Sequence, residues 1–116
     1  DPKASTAYNG RCDVYTLQRE FDKALADCDK AIEFKPEYTF AFINRGKAYD
    51  GKGHYEKAIA DYTQAIELNP RYANAYFYRG LTLARQGDID GAKADFEKVL
   101  ELNPYDTRAR KKLEDL

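Results

Sequence analysis

The positions of the prolines constrain this chain more than any other feature. Proline occurs only at Pro2, Pro36, Pro70 and Pro104, so each lies 34 residues after the one before. A fixed period in this range is typical of a solenoid, in which each repeat is one supersecondary unit that buries its apolar faces against its neighbours. The chain of 116 residues has room for three such units.

Other residues recur in the same register. They are Ala7, Ala41 and Ala75, then Arg11, Arg45 and Arg79, then Ala24, Ala58 and Ala92, then Asp27, Asp61 and Asp95, and then Glu33, Glu67 and Glu101. Because a guanidinium group suits paired contacts with a carboxylate, we expect the recurring arginines and aspartates to form a ladder of ion pairs between helices. The alternative is that the arginines form a basic stripe that binds a ligand.

The pattern in each unit predicts two helices separated by a turn. In the third unit, apolar residues recur at helical spacing on either side of Gly87, and Gly53 holds the same place in the second unit. Glycine there can adopt the left-handed conformation that ends a helix, whereas the first unit has Arg19 and a less ideal turn. Each proline ends the second helix of its unit. The predicted helices span residues 5–18, 21–34, 39–52, 55–68, 73–86, 89–102 and 107–116.

These residues resemble the tetratricopeptide repeat family, whose signature is W-x2-L-G-x2-Y, then A-x3-F, then P. The second unit has Phe42-x2-Arg45-Gly46-x2-Tyr49, Ala58-x3-Tyr62 and Pro70; the third has Tyr76-x2-Arg79-Gly80-x2-Leu83, Ala92-x3-Phe96 and Pro104; and the first has Tyr8-x2-Arg11-Cys12-x2-Tyr15, Ala24-x3-Cys28 and Pro36.

The resemblance covers nearly the whole chain. It implies an all-α fold, a right-handed superhelical solenoid of antiparallel helix pairs with seven helices. We expect residues 5–38, 39–72 and 73–106 to form the three repeats and residues 107–116 to form a capping helix. Residues 1–4 would then be the tail of a preceding repeat or a linker, and the chain one segment of a longer protein.

The two cysteines occupy packing places of the first unit. Cysteine behaves as a small hydrophobic residue in such places, so we favour buried structural thiols at Cys12 and Cys28, which we expect to lie about one turn out of step. A disulfide is the alternative, and it would require close approach of the two Cα atoms.

The sequence contains no constellation that predicts catalysis. Its single histidine, His54, falls in a turn, and Asp88 and Asp90 lie where carboxylates favour the start of a helix. No spacing predicts a metal site or a cofactor site. The net charge of −1 argues against a nucleic-acid partner, and no apolar run is long enough for membrane insertion. We therefore expect a protein that is not an enzyme and that needs no cofactor.

Stacked helix pairs form a superhelix whose concave side is lined by the first helix of each pair. We predict that the side chains on this concave side bind a partner. They are Asn9, Asp13, Phe40, Ile43, Asn44, Lys47, Asn74, Phe77, Tyr78, Leu81, Arg85 and Arg108. Within this set, Phe40, Ile43, Phe77 and Leu81 would form an exposed apolar strip with a polar rim, which is typical of an interaction site.

We therefore predict a non-catalytic protein–protein interaction module that binds a peptide or a partner segment in a concave groove. The alternatives are a scaffold that forms homo-oligomers through the apolar strip, and a regulatory domain attached to an enzyme elsewhere in a longer chain. The compartment stays open, with the cytoplasm slightly favoured.

Some tetratricopeptide domains clamp the C-terminal carboxylate of heat-shock chaperones. The five clamp places are a lysine and an asparagine on the first groove helix, an asparagine on the second, and a lysine and an arginine on the third. By this resemblance, the chain carries Asn9, Asp13, Asn44, Asn74 and Tyr78 at those places. Only Asn44 fits, and Asp13 would repel a carboxylate. We therefore do not expect a chaperone-tail clamp.

Overall fold

The computed structural model describes residues 2–116, and in this range it contains seven α-helices and no strand. The helices are α1 (Pro2–Leu17), α2 (Phe21–Phe34), α3 (Thr39–Gly51), α4 (Tyr55–Leu68), α5 (Ala73–Arg85), α6 (Ile89–Leu102) and α7 (Thr107–Asp115). Six of them begin at the predicted residue and end within one residue of the predicted end.

The first helix differs from the prediction at its start. It begins at Pro2 rather than at residue 5, so residues 2–4 are continuous with α1. Proline is well tolerated in the first turn of a helix, where its missing amide hydrogen would have no partner in any case, and Lys3 and Ala4 are good helix formers. Asp1, which belongs to the segment predicted to be the tail of a preceding repeat or a linker, lies outside the described residues.

The helices pack in sequential pairs, α1 with α2, α3 with α4 and α5 with α6. Each pair stacks on the next, and α7 packs on α6. The result is an elongated all-α solenoid of 41 × 26 × 20 Å. No helix within residues 2–116 is both long and apolar enough to cross a membrane.

A glycine facing an aromatic ring sets the spacing between the two helices in the second and third pairs. A Cβ atom added to Gly46 would lie 2.6 Å from the Tyr62 ring, and one added to Gly80 would lie 2.8 Å from the Phe96 ring. Both rings are almost completely buried. Each glycine lies 16 residues before its ring, so residues i and i+16 face each other within a repeat.

The same register places Cys12 opposite Cys28 in the first pair, and the two form a disulfide with their Cα atoms 5.5 Å apart. The preference for free buried thiols was therefore wrong. The two residues face each other across α1 and α2 rather than lying a turn out of step. The disulfide fills the place that a glycine and an aromatic ring fill in the other two pairs, and both cysteines are fully buried.

The predicted ladder of ion pairs is confirmed. In each repeat an arginine donates Nε and Nη2 hydrogen bonds to the two carboxylate oxygens of an aspartate, at 2.6 and 2.7 Å for Arg11, 2.9 and 2.8 Å for Arg45, and 2.8 and 2.8 Å for Arg79. The three aspartates are each 5% exposed. Burial raises the pKa of Asp61, although the hydrogen bond from Arg45 opposes that shift. The arginines are thus engaged between helices, which argues against a free basic stripe.

The turns inside the repeats follow the predicted pattern. Gly53 and Gly87 have φ angles of 81° and 86°, and Arg19 adopts φ 61° at the matching place. Asp88 accepts a hydrogen bond from the Gly91 amide at 2.9 Å, which confirms its place at the start of α6. His54 is exposed in the turn before α4.

Candidate functional site

The first helices of the three pairs form one continuous surface, because α1 also packs against α3 and α3 against α5. The last helix, α7, extends this surface through the contacts of Arg108 with Asn74 and Phe77 of α5. In a superhelix of this kind these helices line the concave side. Ten of the twelve predicted binding residues lie on this surface at least partly open to solvent. Phe40, Arg85 and Arg108 are exposed, and the half-buried ones are Asn9, Asp13, Asn44, Lys47, Asn74, Tyr78 and Leu81.

The two remaining residues, Ile43 and Phe77, belong to the core. Ile43 is 4% exposed and lies in the cluster built around Tyr62, and Phe77 is 6% exposed and packs against Phe96 with 5.8 Å between ring centroids. The Arg108 guanidinium covers Phe77 at 4.3 Å from the ring. The predicted exposed apolar strip was therefore wrong at these positions, because both side chains pack into core clusters with rings of the second helices, Tyr62 for Ile43 and Phe96 for Phe77. Leu81 also packs against the Phe77 cluster.

A chain of polar and aromatic contacts runs along one edge of the concave surface. Asn44 donates to Asn9 at 2.9 Å across α3 and α1. Further along, the Phe40 ring meets Tyr72 edge to face at 5.2 Å. At the far end, Arg108 donates to the amide oxygen of Asn74 at 2.9 Å. The predicted residues from four helices are thus brought together along this edge.

The middle of the surface carries a cation on an aromatic ring. The Lys47 ammonium lies 4.2 Å from the centroid of the Tyr78 ring. Tyr78 in turn stacks on the buried Tyr62 at 6.1 Å, which fixes its orientation. Among the residues that the structure describes, Lys47 forms no ion pair. It is therefore available to an acidic group of a ligand.

Two other cations on this surface already have carboxylate partners. Arg85 pairs with Asp50, which also accepts a hydrogen bond from Thr82 at 3.1 Å. Arg108 pairs with Asp106 at 3.0 Å, and its hydrogen bond lowers the pKa of Asp106, with the backbone amides that Asp106 caps adding to the effect. These pairs hold both guanidinium groups in place while leaving each arginine exposed.

The charges are unevenly distributed along the surface. Lys47, Arg85 and Arg108 lie on α3, α5 and α7, whereas Asp13 lies on α1. Asp13 forms no ion pair within residues 2–116. Because Asp50 and Asp106 pair with Arg85 and Arg108, Lys47 is the cation of this set that has no carboxylate partner among the described residues.

Sequence reasoning missed three residues that shape this surface. The rings of Tyr72 and Tyr38 both pack edge to face on Phe40, with 6.3 Å between the Tyr38 and Phe40 centroids. The Asp50 carboxylate forms an ion pair with Arg85. The two tyrosines recur 34 residues apart, directly before α3 and α5. This recurrence could have predicted from the sequence that both occupy equivalent places in the repeats. Asp50 follows Lys47 by three residues, so helical spacing places it on the same face.

No group of three or more His, Cys, Asp or Glu side chains within residues 2–116 is arranged to hold a metal ion. The chemistry of the surface is that of hydrogen bonds, ion pairs and aromatic contacts.

Comparison with known sequences decides the family. Profiles described as tetratricopeptide repeat match residues 43–107 and residues 5–38. The chain belongs to the tetratricopeptide repeat family. No curated protein sequence matches this tetratricopeptide chain significantly.

Solved tetratricopeptide domains are similar over almost the whole chain. The first such domain of Spaghetti (RPAP3), bound to the HSP90 peptide SRMEEVD, is 28% identical with a TM-score of 0.93, and the match covers 99% of this chain and 91% of that one. The second domain of human RPAP3, in complex with the HSP70 peptide SGPTIEEVD, is 28% identical with a TM-score of 0.91 and coverage of 99% and 97%. The Sgt2 domain from Aspergillus fumigatus is 26% identical with a TM-score of 0.90 and coverage of 96% and 75%.

These similarities support a protein-interaction module. Domains of this family generally act by binding other proteins rather than by catalysis.

Proposed function

We propose that this chain binds an extended peptide segment of a partner protein along its concave surface, and that it acts without catalysis. Two solved domains of the same fold hold chaperone peptides. The surface of this chain is preformed, because Tyr78, Phe40 and Arg108 are each held by neighbouring side chains. A preformed surface loses little conformational freedom on binding.

The unpaired ammonium of Lys47 on the Tyr78 ring carries the proposal for the kind of peptide. A half-buried cation beside an aromatic ring suits an acidic side chain followed or preceded by an apolar one. Arg85 and Arg108 are exposed beside their partners Asp50 and Asp106 and can offer further N–H donors, and the Asn9–Asn44 pair offers amide groups to a peptide backbone. The favoured ligand is therefore an acidic peptide with an apolar anchor.

This mode of binding does not depend on the C-terminal carboxylate of the peptide. Of the residues at the five clamp places, Asn9, Asp13, Asn44, Asn74 and Tyr78, none is a cation, and Asp13 is an anion. A carboxylate clamp needs cations to neutralise the bound group. The absence of the clamp distinguishes the proposal from the chaperone-tail mode.

The test uses fluorescence anisotropy with three labelled probes: SRMEEVD with a free C-terminus, the same peptide with a C-terminal amide, and the amidated peptide SRMQQVN, which has no carboxylate. We expect the first two to bind within about twofold of each other. The peptide without carboxylates should bind about tenfold more weakly, which corresponds to about 1.4 kcal/mol. Loss of binding on amidation would show a clamp and contradict the proposal, as would no saturable binding of any probe.

The matched variants are Lys47→Ala, which removes the unpaired cation, and Lys93→Ala, which removes an exposed cation from α6 on the other layer of the solenoid. Lys47→Ala should weaken SRMEEVD binding about fivefold to tenfold, which corresponds to about 1–1.4 kcal/mol, the size of one hydrogen bond. Lys93→Ala should leave the affinity unchanged. Equal effects of the two variants would place the peptide elsewhere.

The self-associating scaffold is less well supported. That alternative relied on an exposed apolar strip, and two of its four members, Ile43 and Phe77, are buried within the chain itself.

A further inference from the structure

Three residues form a row across the concave surface. Asp13, Lys47 and Leu81 follow one another at intervals of 34 residues, so they occupy equivalent places on α1, α3 and α5. All three are half-buried, and α3 packs against both α1 and α5. The row therefore presents a carboxylate, an ammonium group and an aliphatic side chain, in that order, to a ligand that lies across the three helices.

The carboxylate at the first place has no cation beside it. Asp13 forms no ion pair within residues 2–116. The residues three and four positions away on α1 are its neighbours on the helix surface. All of them are uncharged: Asn9, Gly10, Thr16 and Leu17. A half-buried carboxylate in such surroundings has lost part of its hydration without gaining a partner, so a cation from a ligand is a favourable neighbour.

The ammonium group at the second place is unpaired for a different reason. Its acidic neighbour at helical spacing is Asp50, and that carboxylate already binds Arg85 and Thr82. The Lys47 ammonium lies on the Tyr78 ring instead, which holds the cation in place without neutralising it. Among the described residues, the charges of Asp13 and Lys47 also do not pair with each other.

The spacing of the row sets the spacing of the groups that it can meet. Packed helices lie about 8–10 Å apart, and an extended peptide advances about 3.3 Å per residue. A peptide that crosses α1, α3 and α5 therefore places about every third side chain over the next helix. Its direction along the row is free, because reversing the peptide together with its sequence keeps the same groups over the same helices.

We propose that the concave surface selects peptides by the order of their charges. The preferred peptide has a basic, an acidic and an aliphatic residue at intervals of about three, which lie at Asp13, Lys47 and Leu81 respectively. This inference rests on the proposed binding of a peptide along the concave surface and adds to it the basic residue and the order. Exchanging the basic and acidic residues of the peptide would place like charges together at both sites, which disfavours binding.

The test uses four labelled peptides that are acetylated and amidated, so that only side chains carry charge. The ordered pair is GRSAESALG and its reverse GLASEASRG, and the exchanged pair is GESARSALG and its reverse GLASRASEG. All four have the same composition and no net charge. By anisotropy, we expect one member of the ordered pair to bind the wild type at least about fivefold more tightly than either member of the exchanged pair, as two surface ion pairs allow.

A charge reversal in the chain locates the effect. The double variant Asp13→Lys, Lys47→Glu keeps the net charge and should prefer the exchanged pair by a similar factor. The matched control, Lys30→Glu with Glu33→Lys, reverses two exposed charges on α2 in the other layer and should keep the preference of the wild type. Circular dichroism should be unchanged for both variants, because none of the four side chains is fully buried.

The outcomes separate this inference from the proposed function. Equal binding of the ordered and exchanged pairs, or the same preference in the Asp13→Lys, Lys47→Glu variant as in the wild type, would overturn the charge order even where SRMEEVD binds. If neither SRMEEVD nor any of the four peptides binds up to about millimolar concentration, the charge order and the proposed function are both wrong.

Discussion

At the scale of single residues, Arg19 is the residue whose backbone least suits its side chain. It has φ 61° in a place where the other two repeats use glycine. A side chain in the left-handed region costs about 1–2 kcal/mol relative to glycine, while added freedom in the unfolded chain offsets part of that difference. The Arg19 guanidinium also lies over the Phe21 ring, 5.2 Å from its centroid, and this contact stabilises the folded chain by about 0.5 kcal/mol.

We therefore expect Arg19→Gly to stabilise the chain by about 0.5–1 kcal/mol. Urea denaturation at neutral pH measures the change. The matched variant Gly53→Ala should destabilise the chain, because the φ angle at this position is unfavourable for a side chain. Steric clash would not contribute, since a Cβ atom added there meets open space. A fall in stability for Arg19→Gly would show that the cation–ring contact outweighs the backbone strain.

A second prediction at this scale concerns Asp106, which is 7% exposed and accepts hydrogen bonds from the Arg108 and Ala109 amides at 3.0 and 3.2 Å. Its pKa is lowered in the folded chain, chiefly by the Arg108 side chain. The ionised Asp106 therefore stabilises the fold fully at pH values above its usual pKa of about 3.9. This stabilisation is lost as the pH falls through the lowered pKa of the folded chain.

Asp106→Asn keeps an acceptor at the start of α7 but removes the charge. We expect the wild type to be more stable than this variant at pH 7, and the difference to shrink as the pH falls below the usual pKa of about 3.9 and through the lowered value. Parallel denaturation curves across pH 2–7 measure it. A difference that does not change with pH would mean that the charge of Asp106 contributes nothing.

At the scale of the elements, the first helix pair is joined differently from the other two. A disulfide joins α1 and α2 covalently. In the other two pairs, α3 with α4 and α5 with α6, a glycine packs against a buried ring at the same place. Closing a loop of this length restricts the unfolded chain by about 3 kcal/mol in the entropic model. Reduction should therefore loosen the first pair more than the others.

We expect a reducing agent to lower the protection of α1 and α2 amides in hydrogen exchange while α5 and α6 keep theirs. The double variant Cys12→Gly, Cys28→Tyr gives the first pair the residues of the second, so its exchange should not respond to the reducing agent. Uniform loss of protection along the chain would instead show that the three pairs unfold as one unit.

The elements were more predictable than the contacts between them. The 34-residue period, the turn glycines and the prolines all act locally, so they placed six helices almost to the residue. The burial of Ile43 and Phe77 depends on contacts with other helices, namely with Tyr62 of α4 and with Phe96 of α6. Helical spacing within one element does not reveal such contacts. The disulfide follows from the i to i+16 register, which the recurring arginine and aspartate pairs already displayed in the sequence.

At the scale of the whole molecule, the two ends of the solenoid differ. At the C-terminal end, α7 covers the third repeat with Ala109 and Leu113. At the N-terminal end, the face with Ala7 and Tyr8 is open in the structure. In a solenoid, stability is roughly the sum of repeat terms and nearest-neighbour interface terms, so the same substitution should have different effects at equivalent places.

Glutamate substituted for alanine at the four equivalent positions tests this difference. At Ala41, Ala75 and Ala109 the new side chain would enter a fully buried interface, where overpacking and a buried charge together cost at least about 3 kcal/mol. At Ala7 it would enter solvent, where substitutions usually change stability by less than about 0.5 kcal/mol. Urea denaturation of the four variants measures both. A large loss at Ala7 would mean that this face is already covered in solution, for example by self-association, and sedimentation of the wild type would then identify the covering copy.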